Sequence, residues 1–308
     1  KKEVFPEHQK FKKNLRKKIS RMQFRSSGKI FSTGSGIHSP STIFLSTTLT
    51  NLTTRQEPSM SRHRHSLAKP VVRPPGVVPV HGEPSDLPVR ITVIDYDAAH
   101  FEEKTVGKIS ECFPFRDTET VTWINVDSLG NPKLIEDLAK CFTIHPLIIE
   151  DIFNTGQRPK MEDLDQYIYL NLKMLSYLDA TKDIKIEHIS MVFGHNFLIS
   201  FQEDIGDIFD PVRERIRKDG RIRKLGPDYL AYALIDSIVD NYFLVMEKLE
   251  EEVEGLEEEL VLNPTPDSLH RIDRLKKDMI YIRKSVWPLR EMINTLEQSE
   301  SVLIQEAT

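Results

Sequence analysis

Two neighbouring carboxylates, Glu150 and Asp151, end the apolar run Pro146-Leu147-Ile148-Ile149 and precede Ile152-Phe153. Adjacent acids beside an apolar helix face supply negative charge without a full cage of ligands. That suits a hydrated divalent cation such as Mg2+, which keeps several waters and takes one or two carboxylates. The same pair also describes a helix whose polar end meets water, and residue types alone leave both readings open. The turn Thr155-Gly156-Gln157-Arg158-Pro159-Lys160 follows, stiffened because Pro159 fixes its own φ and restrains Arg158. Asp236 stands in the apolar stretch Leu234-Ile235-Asp236-Ser237-Ile238-Val239-Asp240, and Asp240 lies one helical turn away on the same face. The acidic run Glu250 to Glu259 could gather hydrated cations loosely. A solvated helix face opposite His270, Arg271, Arg274, Lys276 and Lys277 describes it more simply.

Enzyme signatures are missing. The chain has no phosphate-cradling Gly-rich loop, no His-Glu-x-x-His zinc motif and no Gly-x-Ser-x-Gly elbow, so it is read as a non-enzyme. His145, before a proline, suits capping or packing rather than catalysis. Arg213, Arg215, Arg217, Arg221 and Arg223 form a basic patch without interleaved aromatics, which fits ion pairing better than nucleic-acid binding. Cys112 and Cys141 have neither metal-site spacing nor the density of a disulfide scaffold.

The elements that must position these acids fall into three segments. Residues 1–88 carry 16 Lys or Arg against 5 Asp or Glu and half of the 18 prolines, a composition that predicts a basic, largely disordered tail. Its acid-poor stretch from Lys10 to Thr54 has the character of a transit peptide, a species-specific tail or a leader before Met60 being the simpler alternatives. The remaining 220 residues carry 26 basic against 42 acidic side chains, a balance that favours cations over nucleic acid.

Residues 89–225 predict an α/β (α+β) domain with a mixed sheet. Strands are expected at Val89–Ile94, Val121–Val126, Tyr167–Leu175, Ile184–Phe193 and Phe197–Phe201, with a helix over Lys133–Phe142. The short Gly194-His195-Asn196 loop makes a hairpin of the last two strands. Over residues 226–308, apolar residues recur every three or four positions from Leu230 to Leu260 and again from Leu269 to Leu296. This spacing predicts a long antiparallel helical hairpin broken at Asn263-Pro264, with Thr265 capping the second helix and Pro266 at its first position. No run of about 18 consecutive apolar residues occurs, so membrane helices are expected to be absent from this chain.

The run His145 to Lys160 closely resembles the signature of CorA-type magnesium and cobalt channels. Two further matches follow in the same order: Phe201-Gln202-Glu203 with Phe209-Asp210-Pro211-Val212-Arg213-Glu214-Arg215-Ile216-Arg217, and then Trp287-Pro288-Leu289-Arg290-Glu291. Together they cover roughly residues 89–308. The resemblance implies the cytoplasmic, Mg2+-sensing region of a homopentameric channel in the inner membrane, with Mg2+ as regulatory ion and Co2+ as a second one. In that family a cation sits between subunits, and the resemblance assigns Glu150, Asp151, Asp236 and Asp240 to metal binding. The family's two membrane helices and the Gly-Met-Asn loop between them would lie beyond this chain. A zinc-transporting relative or a soluble coiled-coil scaffold are the alternatives.

Overall fold

Period-two alternation from Arg90 onward leads to a sheet with two buried faces. Ile91 and Val93 enter one apolar layer while Ile94 and Tyr96 enter the other, and Trp123 and Ile124 divide the same way. The computed structural model describes residues 17–21, 89–218 and 220–305. Its strands are β1 (Arg90–Tyr96), β2 (Phe101–Val106), β3 (Val121–Asp127), β4 (Lys160–Asp163), β5 (Ile168–Leu178), β6 (Asp183–Phe193) and β7 (Phe197–Gln202). They form one sheet in the order β2-β1-β3-β7-β6-β5-β4. Among the described residues only β3 and β7 pair in parallel, from Thr122↔Phe197 to Asp127↔Gln202, so the sheet is mixed as expected.

The sequence reading did not find β2 and β4. Both are edge strands rich in charge, Phe101-Glu102-Glu103-Lys104-Thr105-Val106 and Lys160-Met161-Glu162-Asp163. Charged side chains on an edge discourage pairing with other chains, and they also erase the apolar alternation that betrays a strand. The β6–β7 hairpin turns through Gly194 to Asn196 as predicted, and Gly194 N donates to Phe197 O at 2.9 Å. A Cβ at Gly194 would lie 2.5 Å from the Phe197 ring, which is why glycine fits this turn.

One face of the sheet is covered by α1 (Pro132–Cys141) and α2 (Pro146–Phe153). Each begins with proline at its first position and a side-chain cap: Asn131 Oδ1 accepts from Leu134 N, and His145 Nδ1 from Leu147 N. His145 therefore has the capping role its position suggested. The other face is covered by α3 (Asp210–Arg217), α4 (Pro227–Leu262) and α5 (Pro266–Gln298).

The second family-like motif builds a polar network inside this second layer. Arg213 donates two hydrogen bonds to Asp207, and Asn125 and Gln202 each donate to Asp207 Oδ2 at 3.2 Å. Ser200 Oγ and Gln202 Nε2 both donate to Asn125 Oδ1, while Trp123 Nε1 donates to Ser200 Oγ. Burial opposes the charge on Asp207, but the Arg213 guanidinium prevails and holds the carboxyl below its usual range. The basic patch is thus used within the chain. Arg217 pairs with Glu103 and Glu214, Arg215 donates to Tyr229 OH, and Arg223 to the Ile216 carbonyl.

The two long helices match their predicted spans closely. Thr265 caps α5 by accepting from Ser268 N, and the Ser268 hydroxyl in return accepts from Thr265 N. Leu249, Leu256, Leu275, Ile282, Val286 and Leu289 are buried between the helices and the sheet. Toward the hairpin tip the apolar spacing continues but the packing stops: Leu260, Val261, Leu262, Leu269 and Ile272 are exposed. Among the described residues, no layer reaches past Leu256 and Leu275 to cover them. The acidic run is partly paired, both across the hairpin and to the β5–β6 turn. Glu252 accepts from Lys182 and Arg274, and Glu259 from Arg271 and Ser268.

Helix α4 is long and apolar enough, by length and composition, to cross a membrane, a point the search for an unbroken apolar run missed. Two Asp residues interrupt its apolar stretch, and 67% of the most apolar window lies buried, with its residues in the layer under the sheet. Its hydrophobicity is accounted for by core packing.

Most of the basic tail lies outside the described residues. Residues 17–21 are helical, and Ile19 is 1% exposed within the layer formed by α4. A chain beginning at Pro84 is expected to keep cooperative unfolding and helical content while losing that contact, at a cost of no more than about 3 kcal/mol. Circular dichroism melts of the two chains check this, and loss of cooperative folding would make the tail part of the fold.

Candidate cation site

Helix α2 buries Ile148, Ile149, Ile152 and Phe153 and turns Glu150 and Asp151 toward the half-exposed side. The stiff turn after it is fastened from beneath. Gln157 Nε2 donates to the Asp151 carbonyl at 2.6 Å and to Tyr169 OH at 3.2 Å, and Lys160 N donates to Asn171 Oδ1 at 2.7 Å. This fastening returns the chain as β4 so that Lys160 Nζ meets Asp151 Oδ2 at 2.7 Å and Glu162 Oε1 at 2.6 Å. Burial works against the Lys160 charge, but its hydrogen bonds to Asp151 and Glu162 dominate and hold its ammonium above the usual lysine range. The sequence reading missed Lys160 and Glu162 as part of this site. Lys160 ends the run that resembles the family signature, but only β4 places it beside Asp151.

Asp236 and Asp240 project from one face of α4, as their spacing required. Their side chains are 18% and 55% exposed, and Lys18 Nζ bridges them at 2.8 and 2.6 Å. Nothing in the sequence signalled Lys18, which is 218 positions from Asp236.

Lys18 brings Asp236 and Asp240 together, whereas Lys160 joins Asp151 to Glu162 and not to Glu150, and the two sites do not meet. Helix α2 packs in the layer on one side of the sheet and α4 in the layer on the other. Among the described residues, no three His, Cys, Asp or Glu side chains converge as a metal cage would require. Each site offers two carboxylates, partly open to solvent and each served by one ammonium. That donor set fits a hydrated, hard divalent ion better than a fully dehydrated one.

A mixed sheet between a helical layer and a long helical hairpin is also the fold of the soluble domain of CorA from Methanocaldococcus jannaschii. That structure aligns over 70% of this chain and 82% of its own, with a TM-score of 0.57 at 18% identity. The ZntB cytoplasmic domain from Vibrio parahaemolyticus shares the fold, with a TM-score of 0.53 at 15% identity over 69% of this chain and 82% of its own.

Sequence then names the family. Residues 118–308 match the model of the CorA-like Mg2+ transporter protein family, and the chain belongs to it. It is 39% identical over 236 residues to the cobalt/magnesium transport protein CorA of Thermotoga maritima, and 27% identical over 190 residues to the putative metal ion transporter YfjQ of Bacillus subtilis. These alignments take in 76% and 61% of this chain, which spans 67% and 58% of the two relatives' lengths. The family is one of metal-ion transporters, not of enzymes.

Proposed function

We propose that this chain is the cytoplasmic, Mg2+-sensing region of a CorA-type channel for Mg2+ and Co2+. The channel assembles as a homopentamer in the inner membrane. The observation that carries this reading is the placement of two half-open acid pairs on opposite sides of one sheet. An ion drawing on both α2 and α4 acids needs more than one subunit, so ion binding favours assembly.

In this reading the residues' contribution is electrostatic. Glu150 and Asp151 from one subunit approach negative surface on its neighbour, and a bound cation offsets the repulsion and favours the closed ring. When internal Mg2+ falls, that repulsion loosens the ring. The ion's leverage is limited to the difference between its affinities for the two states.

Millimolar Mg2+ is therefore expected to raise the melting temperature, and less so in Glu150→Gln/Asp151→Asn. At an ion concentration tenfold above Kd the stabilisation amounts to about 1.4 kcal/mol. A thermal melt with and without Mg2+, at matched ionic strength, checks it; an identical response in the double variant would sink the assignment. A zinc transporter is the second reading, favoured by the shared fold of the ZntB domain. It predicts stabilisation by micromolar Zn2+ with little response to Mg2+.

A further inference from the structure

The contact between Lys18 and α4 joins two parts of the chain that lie 218 positions apart in sequence. Ile19 is buried in the layer beneath the sheet, while its neighbours Lys17, Ser20 and Arg21 are exposed. Burial of Ile19 anchors the segment and sets the adjacent Lys18 side chain over α4. There its ammonium lies between Asp236 Oδ1 at 2.8 Å and Asp240 Oδ1 at 2.6 Å.

One ammonium facing two carboxylates leaves a net charge of −1. A divalent cation would neutralise the pair fully, and the same two carboxylates suffice for an ion that keeps most of its water. Lysine and metal need the same oxygen atoms. Lysine holds them as a tethered point charge with rotatable donors, at an effective concentration set by the anchored segment.

We propose that Lys18 is a built-in competitor for a divalent cation at Asp236 and Asp240, and that ion binding there releases the 17–21 segment from α4. The inference rests on the reading that these acids meet a divalent cation, and adds what that ion must displace. Linkage makes the effect reciprocal: a docked segment weakens ion binding by the same factor by which the ion weakens docking. Ion occupancy would thereby be converted into exposure of a basic segment far away in sequence.

Two measurements on the full chain test it, with Mn2+ as the paramagnetic probe. Lys18→Gln keeps a polar group at the site but removes the charge, and is expected to raise Mn2+ affinity about fivefold or more by electron paramagnetic resonance titration. The gain should vanish in Asp236→Asn/Asp240→Asn. Tryptic cleavage after Lys17, Lys18 and Arg21 should accelerate in MgCl2 but not in NaCl of equal ionic strength. In the double Asn variant it should be fast and insensitive to Mg2+. Equal Mn2+ affinity with and without the Lys18 charge, still dependent on the two acids, would overturn the competition while leaving the acids as an ion site. No binding dependent on these acids in either chain would overturn both.

Discussion

Arg213→Ala is expected to destabilise the domain by about 3–5 kcal/mol, the cost of leaving a buried charge without its partner. The side chains of Arg213 and Asp207 are only 10% and 3% exposed, so solvent cannot replace the lost guanidinium. Asp207 Oδ2 also accepts from Asn125 and Gln202, so the uncompensated charge would sit on the joint between β3 and β7. Arg213 further stacks over Trp123 at 5.1 Å, so truncation removes packing as well as charge. Asp210, the arginine's other partner, is 81% exposed, and Asp210→Asn should change stability by less than about 0.5 kcal/mol. Urea titration of both variants reads the difference. A loss below about 1 kcal/mol for Arg213→Ala would mean the network can open to water at little cost.

The hairpin seam should be nearly as sensitive. Leu249 and Ile282 are 3% and 1% exposed, and replacing either with Ala should cost about 2–5 kcal/mol through lost transfer energy and the cavity left behind. Glu254 and Glu258 lie on the exposed face of α4, where substitution by Gln should stay within about 0.5 kcal/mol. The contrast bears on the proposed function, in which a signal from the acids travels along these helices. Equal sensitivity of seam and outer face to denaturant would remove that route.

How far the sequence could be read depended on whether a residue's partners were local. The caps at His145 and Thr265, the β6–β7 hairpin and the long helices all rest on contacts within a few positions, and residue type and spacing revealed them. The edge strands β2 and β4 have too much charge to show alternation, so their existence depends on the strand already beside them. The acids were legible as acids, and Asp236 and Asp240 as one face. Their ammonium partners were not: Lys160 required β4, and Lys18 required a packing contact of Ile19 more than two hundred residues away. The exposed apolar residues at the hairpin tip show the converse limit, since helical spacing continues there where the layer that would bury it does not.

The single parallel pairing in the sheet has a consequence for the order in which the chain can fold. Strands β1 to β3 are joined by antiparallel neighbours close in sequence, and β4 to β7 form a second antiparallel run of their own. Each can close short loops independently. Their union at β3 and β7 brings Thr122 to Phe197 across the whole length of α1, α2 and the second run. Closing so long a loop is entropically costly before any contact rewards it. The Trp123, Asn125, Ser200 and Gln202 side chains link the strands across this same joint, so the polar network can form only once the halves have met. It acts as a latch on the last step of assembly, and its integrity should govern how fast the finished sheet comes apart more than how fast either half appears.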